Sequence, residues 1–137
     1  MRFPWPRIVV GDWGAFADAV NNRMVQLLTR TRQPDPTVVL TYGVTIALDA
    51  ELSHCYRITA TNGVAFTISN PTNAMDGGWF VLDIKNSSGG ALGAITFGAA
   101  FLLAGAFVNP ANTKRRTIMF YFDATNWVEV ARAAADI

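Results

Sequence analysis

The residues best suited to nucleophilic chemistry lie together in this chain, at Ser53-His54-Cys55. Nucleophilic catalysis needs a nucleophile held against a base, and His54 and Cys55 are the only histidine and the only cysteine. The alternation of residues 54–61 predicts a β-strand, in which neighbouring side chains point to opposite faces. His54 therefore cannot act as the base for Cys55, or for Ser53, within one chain. We interpret it as a structural strand histidine.

Carboxylates are the other candidates, because glycoside hydrolysis uses a pair of them across the scissile bond. Asp49 and Glu51 are close together at a predicted turn. The later carboxylates are scattered along the chain, at Asp76, Asp83, Asp123 and Glu129. Turn chemistry explains most of their positions, since Asp side chains bond the local backbone. No P-loop, EF-hand, GxSxG or HExxH motif is present, and one cysteine cannot form a thiolate metal cluster. The sequence predicts no catalytic residues, no metal site, no cofactor and no enzyme.

Composition points to a surface rich in Thr, Asn, Ser and Gly, together with burial of aromatic residues against other chains, rather than to a charged partner. Charged residues make up 15% of the 137 residues and apolar residues 51%, against about 25% charged in typical domains. The net charge of +1 gives no reason to expect nucleic acid or a membrane surface as partner. The basic cluster Lys114-Arg115-Arg116 is shorter than the roughly 5–8 residues of a nucleic-acid patch. We therefore predict that the protein binds neither nucleic acid nor a membrane.

The N-terminal segment, residues 1–11, is predicted to be an extended arm, because Pro4 and Pro6 fix φ and supply no N–H. Its apolar run is too short for a secretion signal, so we expect the protein to be made in a cytosol. Phe3 and Trp5 on this arm either fold back on their own domain or dock on a neighbour. In the second case the expected partner-binding residues are Phe3, Trp5, Ile8 and Trp13.

An amphipathic helix is predicted over residues 12–33, with Asp12 accepting hydrogen bonds from the first turn. Its apolar residues recur at spacings of three and four, the helical period. They form a seam like that of a coiled coil, which packs either on the chain's own β-domain or around an axis with sister helices. In the second case Val20, Met24 and Leu27 lie at the interface. Residues 34–36 form a proline-rich linker that ends the helix.

From residue 37 the hydrophobic period changes from the helical one to the alternation of β-strands. Eight short strands separated by turn residues predict a β-sandwich or small barrel. We assign residues 37–137 to an antiparallel, jelly-roll-like β-sandwich domain, and Asn62-Gly63 to a type I′ hairpin turn. The predicted strands are 37–42, 44–48, 54–61, 64–69, 79–85, a strand that begins at 95–97 and runs into the glycine- and alanine-rich stretch GAAFLLAGAF, 117–122 and 127–131.

The last hairpin, IMFYFDATNWVEVAR, has large hydrophobic residues on both faces. Ile118, Phe120 and Phe122 alternate with Met119 and Tyr121, whereas a surface hairpin buries one face only. We predict that the first face packs inside the subunit. The second face, with Met119 and Tyr121, is then expected to meet a sister chain.

Three segments in fixed order, NPTNAMDGGWFVLDI, GGALGAITFGAAF and RRTIMFYFDATNWVEVAR, give residues 37–132 a recognisable pattern. The pattern resembles a β-module of tailed-phage virion proteins that recurs in head-decoration and tail-fibre proteins. The resemblance implies a trimeric building block on the virion surface and brings no catalytic residues with it. Two positions depart from the pattern: Phe122, where tyrosine is expected, and Ala124, where glycine is usual.

Three functions follow as hypotheses. A short chain with an arm, a helix and the module suits a homotrimeric capsid decoration or cement protein, which binds the major capsid protein on the head exterior. The alternative is a tail-fibre or tail-tip module that binds host surface glycans through Trp79, Trp127 and Tyr121. Trp127 has a second interpretation, packing across the hairpin on Phe122. A small glycosidase or lyase is the least favoured. The expected location is the virion surface, after synthesis in the bacterial host cytoplasm.

Overall fold

The computed structural model describes residues 14–24 and 36–137, which belong to two separate compact units. The first holds a helix over residues 14–24, and the second is built almost entirely of β-strands. The described part of the chain is thus mostly β with one helix, as predicted. The arm at 1–11, most of the linker and five predicted interface residues lie outside the described residues; the five are Phe3, Trp5, Ile8, Trp13 and Leu27.

Nine strands occur within residues 36–137, and each of the eight predicted segments overlaps one of them. The ninth, Phe101–Leu102, lies in the glycine- and alanine-rich stretch that was assigned to the sixth strand. In chain order they are β1 (Val38–Val39), β2 (Thr45–Ile46), β3 (Cys55–Ala60), β4 (Phe66–Ile68), β5 (Trp79–Asn86), β6 (Ile95–Phe97), β7 (Phe101–Leu102), β8 (Arg115–Phe122) and β9 (Trp127–Arg132).

The strands form two sheets through which the chain winds in a solenoid-like way. A six-stranded sheet has the order β1-β3-β5-β8-β9-β7, and a three-stranded sheet has the order β2-β4-β6. Each of the first four strands pairs in parallel with the strand two positions later. We call the chain between a residue and its parallel partner in the next strand of the same sheet a coil. The coils become longer along the chain, since Val38 pairs with Tyr56, 18 residues later, whereas Phe66 pairs with Ile95, 29 residues later.

The prediction of an antiparallel sandwich is wrong for most of these ladders. Only β5–β8 and β8–β9 are antiparallel, and the other five strand pairs are parallel. Parallel strands need a crossover of a dozen or more residues. From β1 to β6, each of the four crossovers contains a whole strand of the opposite sheet, whereas the crossover from β7 to β9 contains β8 of the same sheet. Short connections between consecutive strands therefore turn corners between the two sheets instead of closing hairpins.

Asn62-Gly63 shows this difference at one turn. The dipeptide was expected to close a hairpin between β3 and β4, but these strands belong to different sheets and pair with β5 and β6. The Asn62 carboxamide instead accepts hydrogen bonds from the Val64 N–H at 3.0 Å and from the Tyr42 hydroxyl at 2.8 Å. Asn62-Gly63 does form a turn, but the strand that follows it, β4, joins the three-stranded sheet instead of pairing with β3.

The final hairpin is confirmed, with Phe122 opposite Trp127 and a β-bulge next to Met119. Its inward residues complete one hydrophobic core that both sheets share. Phe80 lies in an aromatic cluster within that core, with ring centroids 5.5 Å from Phe120 and 4.7 Å from Trp127. The inner face of the six-stranded sheet is therefore covered by the core, so a contact between this sheet and another molecule must involve its outer face.

Candidate interaction surface

The outer sheet face, as we call the side of the six-stranded sheet away from the core, carries apolar residues in register. Trp79 of β5 lies opposite Tyr121 of β8, which lies opposite Val128 of β9, which in turn pairs with Leu102 of β7. Trp79 is 43% exposed, Tyr121 41% and Leu102 48%. Side chains directly opposite each other on one face are in contact range. Together these four residues form a continuous apolar row across four strands.

A second apolar row runs beside the first. Cys55 of β3 pairs with Val81 of β5, which pairs with Met119 of β8, which pairs with Ala131 of β9. Val81, Met119 and Ala131 also line a hollow of about 160 Å³ that opens on this face. Sequence pattern identified Met119 and Tyr121, and the structure places both on the outer sheet face as expected.

The rest of the outer sheet face is charged. Asp83 is 6% exposed, and its Oδ2 accepts hydrogen bonds from Arg57 Nε at 3.0 Å and from Arg115 Nη1 at 3.2 Å. Both guanidinium side chains are about two-fifths exposed, so solvent screens much of this attraction. Lys85 pairs with Arg115 in the next row. Three cations around one carboxylate leave this end of the face with excess positive charge.

His54 packs beside Trp79 at the start of β3. The two rings stack with centroids 4.5 Å apart and planes 9° apart, and His54 Nδ1 lies 2.8 Å from the Trp79 carbonyl oxygen. The Ser53 hydroxyl donates to the Pro36 carbonyl at 2.7 Å and accepts from the Cys55 N–H at 3.0 Å. These interactions fix the start of β3 and leave Trp79 with one ring face covered.

The structure separates Trp127 from the other two predicted glycan-binding residues. Trp127 is 2% exposed and packs on Phe122, with ring centroids 4.9 Å apart. A ring without solvent access cannot stack on a sugar, so Trp127 is corrected from a binding residue to a core residue. Its place directly after the turn suggested exposure, but its register opposite Phe122 turns it inward. Trp79 and Tyr121 remain exposed and adjacent.

Asp49 and Asp123 take the turn roles that the sequence indicated, whereas Asp83 and Glu129 lie in strands. The Asp49 carboxylate accepts from the Glu51 N–H at 3.1 Å and from Asn73 Nδ2 at 2.9 Å. Hydrogen bonds from the Asn126 and Thr125 N–H groups lower the pKa of Asp123. Within residues 14–24 and 36–137, no group of three or more metal-ligating side chains could hold a metal ion.

The helix offers a second apolar surface. Phe16, Val20 and Met24 are 63%, 45% and 55% exposed, and their spacing of four residues places them on one side of the helix. Val20 and Met24 belong to the seam that the sequence assigned to a trimer interface. No helix in the described part of the chain is long and apolar enough to cross a membrane.

Comparison with known proteins gives no match. Neither protein-family models, nor curated protein sequences, nor solved structures match this chain. Sequence reasoning missed Val81, Val128 and Leu102 as parts of the exposed face. Val81 and Val128 alternate correctly within predicted strands, but the two rows to which they belong depend on the strand pairing, including that of β7 with β9.

Proposed function

We propose that this chain is a structural protein of a tailed-phage particle, a homotrimeric decoration or cement protein that binds the major capsid protein on the head exterior. The observation that carries the proposal is the outer sheet face, where two apolar rows cross the sheet in register and are partly or fully exposed in the single chain. The order of the three sequence segments that resemble the virion β-module supports the same function. The proposed location is the virion surface.

The energetics favour association through this face. A Trp or Tyr side chain buries about 150–250 Å² when it is covered completely. The two-fifths that remains exposed on Trp79 and on Tyr121 is therefore worth about 2 kcal/mol each at about 25 cal/mol per Å². A threefold assembly repeats each contact three times. Val20 and Met24 of the helix add apolar area that sister helices would cover.

Counting copies tests the location. We expect the protein in hundreds of copies per particle, measured by quantitative mass spectrometry of purified particles against the major capsid protein. A Trp5→Ala variant is expected to form trimers and to bind capsids more weakly, because Trp5 is the proposed capsid anchor. A handful of copies per particle contradicts the decoration role. Loss of trimers in Trp5→Ala contradicts the assignment of the arm.

A second candidate function is glycan binding by a tail-fibre or tail-tip protein. Trp79 and Tyr121 favour it, because they are adjacent in register and each is about two-fifths exposed. We expect Trp79→Ala to abolish binding to host cell-surface polysaccharide in a sedimentation assay, with Trp127→Phe as a folded control that keeps binding. Equal binding by wild type and Trp79→Ala contradicts this function.

A further inference from the structure

The outer sheet face has a defined shape and charge, which restrict what can cover it. The hollow of about 160 Å³ is lined mainly by apolar residues, Val81, Ile118, Met119 and Ala131, with Thr117 and Arg132 at its wall. Further along the same strands lie Arg57, Lys85 and Arg115, with Asp83 as the one carboxylate among them. A complementary surface therefore presents projecting apolar side chains with carboxylates beside them.

The chain itself carries such a surface at the corner that precedes β3 and β5. Leu52 is 61% exposed and Met75 is 74% exposed, the highest exposed fraction among the large hydrophobic residues of residues 36–137. Glu51 precedes Leu52 and Asp76 follows Met75. Neither carboxylate forms an ion pair with any residue in the described part of the chain. We name these four residues the acidic corner.

The backbone holds the two halves of the acidic corner together. Asp49 forms an isolated parallel bridge with Thr72, and the Ala50 N–H donates to the Thr72 carbonyl oxygen at 2.9 Å. Asn73 Nδ2 donates to Asp49 Oδ1 at 2.9 Å. Leu52 and Met75 thus belong to neighbouring coils of the same corner. Because the loops are already ordered, binding through them has a smaller entropic cost.

We propose that the acidic corner of one copy docks on the outer sheet face of the next copy, and that this head-to-tail contact closes a ring of three. The inference rests on the proposed trimer and specifies its interface. Contacts between two different surfaces are heterologous, and they form closed rings when the rotation between copies allows it. Leu52 or Met75 fills the hollow, while Glu51 and Asp76 lie opposite the cations.

Charge favours this arrangement over three outer sheet faces that meet each other. In that alternative, Arg57, Lys85 and Arg115 of each copy would face the same residues of its neighbours. Juxtaposed like charges across an interface cost several kcal/mol. The acidic corner offers the opposite charge to the same cations, so it gives the interface complementary potentials.

The first test changes the acidic corner. A corner variant with Leu52→Lys and Met75→Lys places cations against the basic face. We therefore expect the dissociation constant of its trimer, measured by native mass spectrometry, to be at least 30-fold higher than that of wild type. Val64→Lys is the matched control, because Val64 is 54% exposed in the loop between β3 and β4, and its trimer should be unchanged. A corner variant as trimeric as wild type overturns the head-to-tail contact.

Mixing variants separates the two interface geometries. A face variant, Met119→Lys, keeps its acidic corner, and the corner variant keeps its outer sheet face. Their mixture therefore contains one intact pair of surfaces, and we expect a one-to-one heterodimer in native mass spectrometry. No heterodimer, with both variants folded by circular dichroism, overturns the proposal.

Labelling of Cys55 gives a readout that does not depend on the face variant. Cys55 is the only cysteine and lies in the second apolar row, so a maleimide should react at least tenfold faster with the corner variant than with the wild-type trimer. Equal rates overturn the proposed contact. If wild type itself is a monomer, the proposed trimeric function fails. If wild type is a trimer that the corner substitutions leave intact, only the head-to-tail interface fails.

Discussion

At the scale of single residues, the clearest local conflict is in the turn of the last hairpin. Ala124 has φ of 73°, a left-handed conformation that costs a residue with a Cβ about 1–2 kcal/mol. Asp123 holds the turn in this shape, because its Oδ1 accepts the N–H of Thr125 at 3.0 Å and that of Asn126 at 2.6 Å. The resemblance to the virion β-module implies glycine at this position, and glycine adopts such a φ without strain.

Ala124→Gly is therefore expected to stabilise the β-domain. Relief of the left-handed strain exceeds the extra unfolded-state entropy of glycine, about 0.5–1 kcal/mol, so the net gain is about 0.5–1 kcal/mol in the free energy of unfolding, measured by urea titration. Ala134→Gly is the control, since Ala134 is exposed and does not have positive φ. Destabilisation of Ala124→Gly as large as that of the control would contradict the strain argument.

At the scale of elements, the loop after β7 is tied to β9 by a charged side-chain pair. Glu129 accepts hydrogen bonds from Arg132, and its Oε2 accepts the Ala104 N–H at 2.7 Å. Arg132 in turn donates to the Ala106 carbonyl oxygen at 2.7 Å and to that of Gly105 at 3.0 Å. The hydrogen bonds from Arg132 lower the pKa of Glu129 below its ordinary value of 4.5.

The lowered pKa of Glu129 determines how the stability of the fold changes with pH. A carboxyl with a lowered pKa in the folded state stabilises the fold above its unfolded-state pKa, and the contribution disappears as pH falls through the folded value. We expect Glu129→Gln to unfold more easily than wild type at pH 7 and to differ little from it near pH 2.5. Urea titrations at several pH values measure this. A difference that grows towards acid pH would contradict the assigned sign.

Strand positions could be predicted from sequence, whereas strand partners could not. Alternation placed a strand in each of eight segments because burial of one face repeats every two residues. Pairing depends on which distant strand shares the sheet, and the turn at Asn62-Gly63 is equally compatible with a hairpin and with a corner between sheets. Only β8 and β9, joined by a tight turn, are neighbours both in sequence and in the sheet. The prediction of antiparallel pairing was wrong for the five parallel pairs, whose members are separated in the chain by an intervening strand.

At the scale of the whole molecule, the same limit explains what was found of the interaction surface. Met119 and Tyr121 could be predicted because both faces of their strand are hydrophobic. Trp79 was predicted as a possible glycan-binding residue, but its place beside Tyr121 depends on the β5–β8 register. The acidic corner had no signal in the sequence, since Glu51 and Leu52 come next to Met75 and Asp76 only through the solenoid-like winding of the chain.

If exposed sheet surface is covered by sister copies, folding and assembly are linked, and thermal stability depends on protein concentration. For unfolded chains in equilibrium with a trimer, a tenfold rise in concentration adds about 0.9 kcal/mol per chain. That corresponds to a rise of about 4–7 °C in Tm for a domain of this size. Scanning calorimetry of wild type between 2 and 200 µM, a range of about two decades chosen to bracket micromolar assembly, measures the effect. The corner variant, with the same β-domain and no ring, should show a Tm independent of concentration. A Tm of wild type that is equally constant would mean that the outer sheet face stays uncovered, and that the single chain is stable with its apolar rows in water.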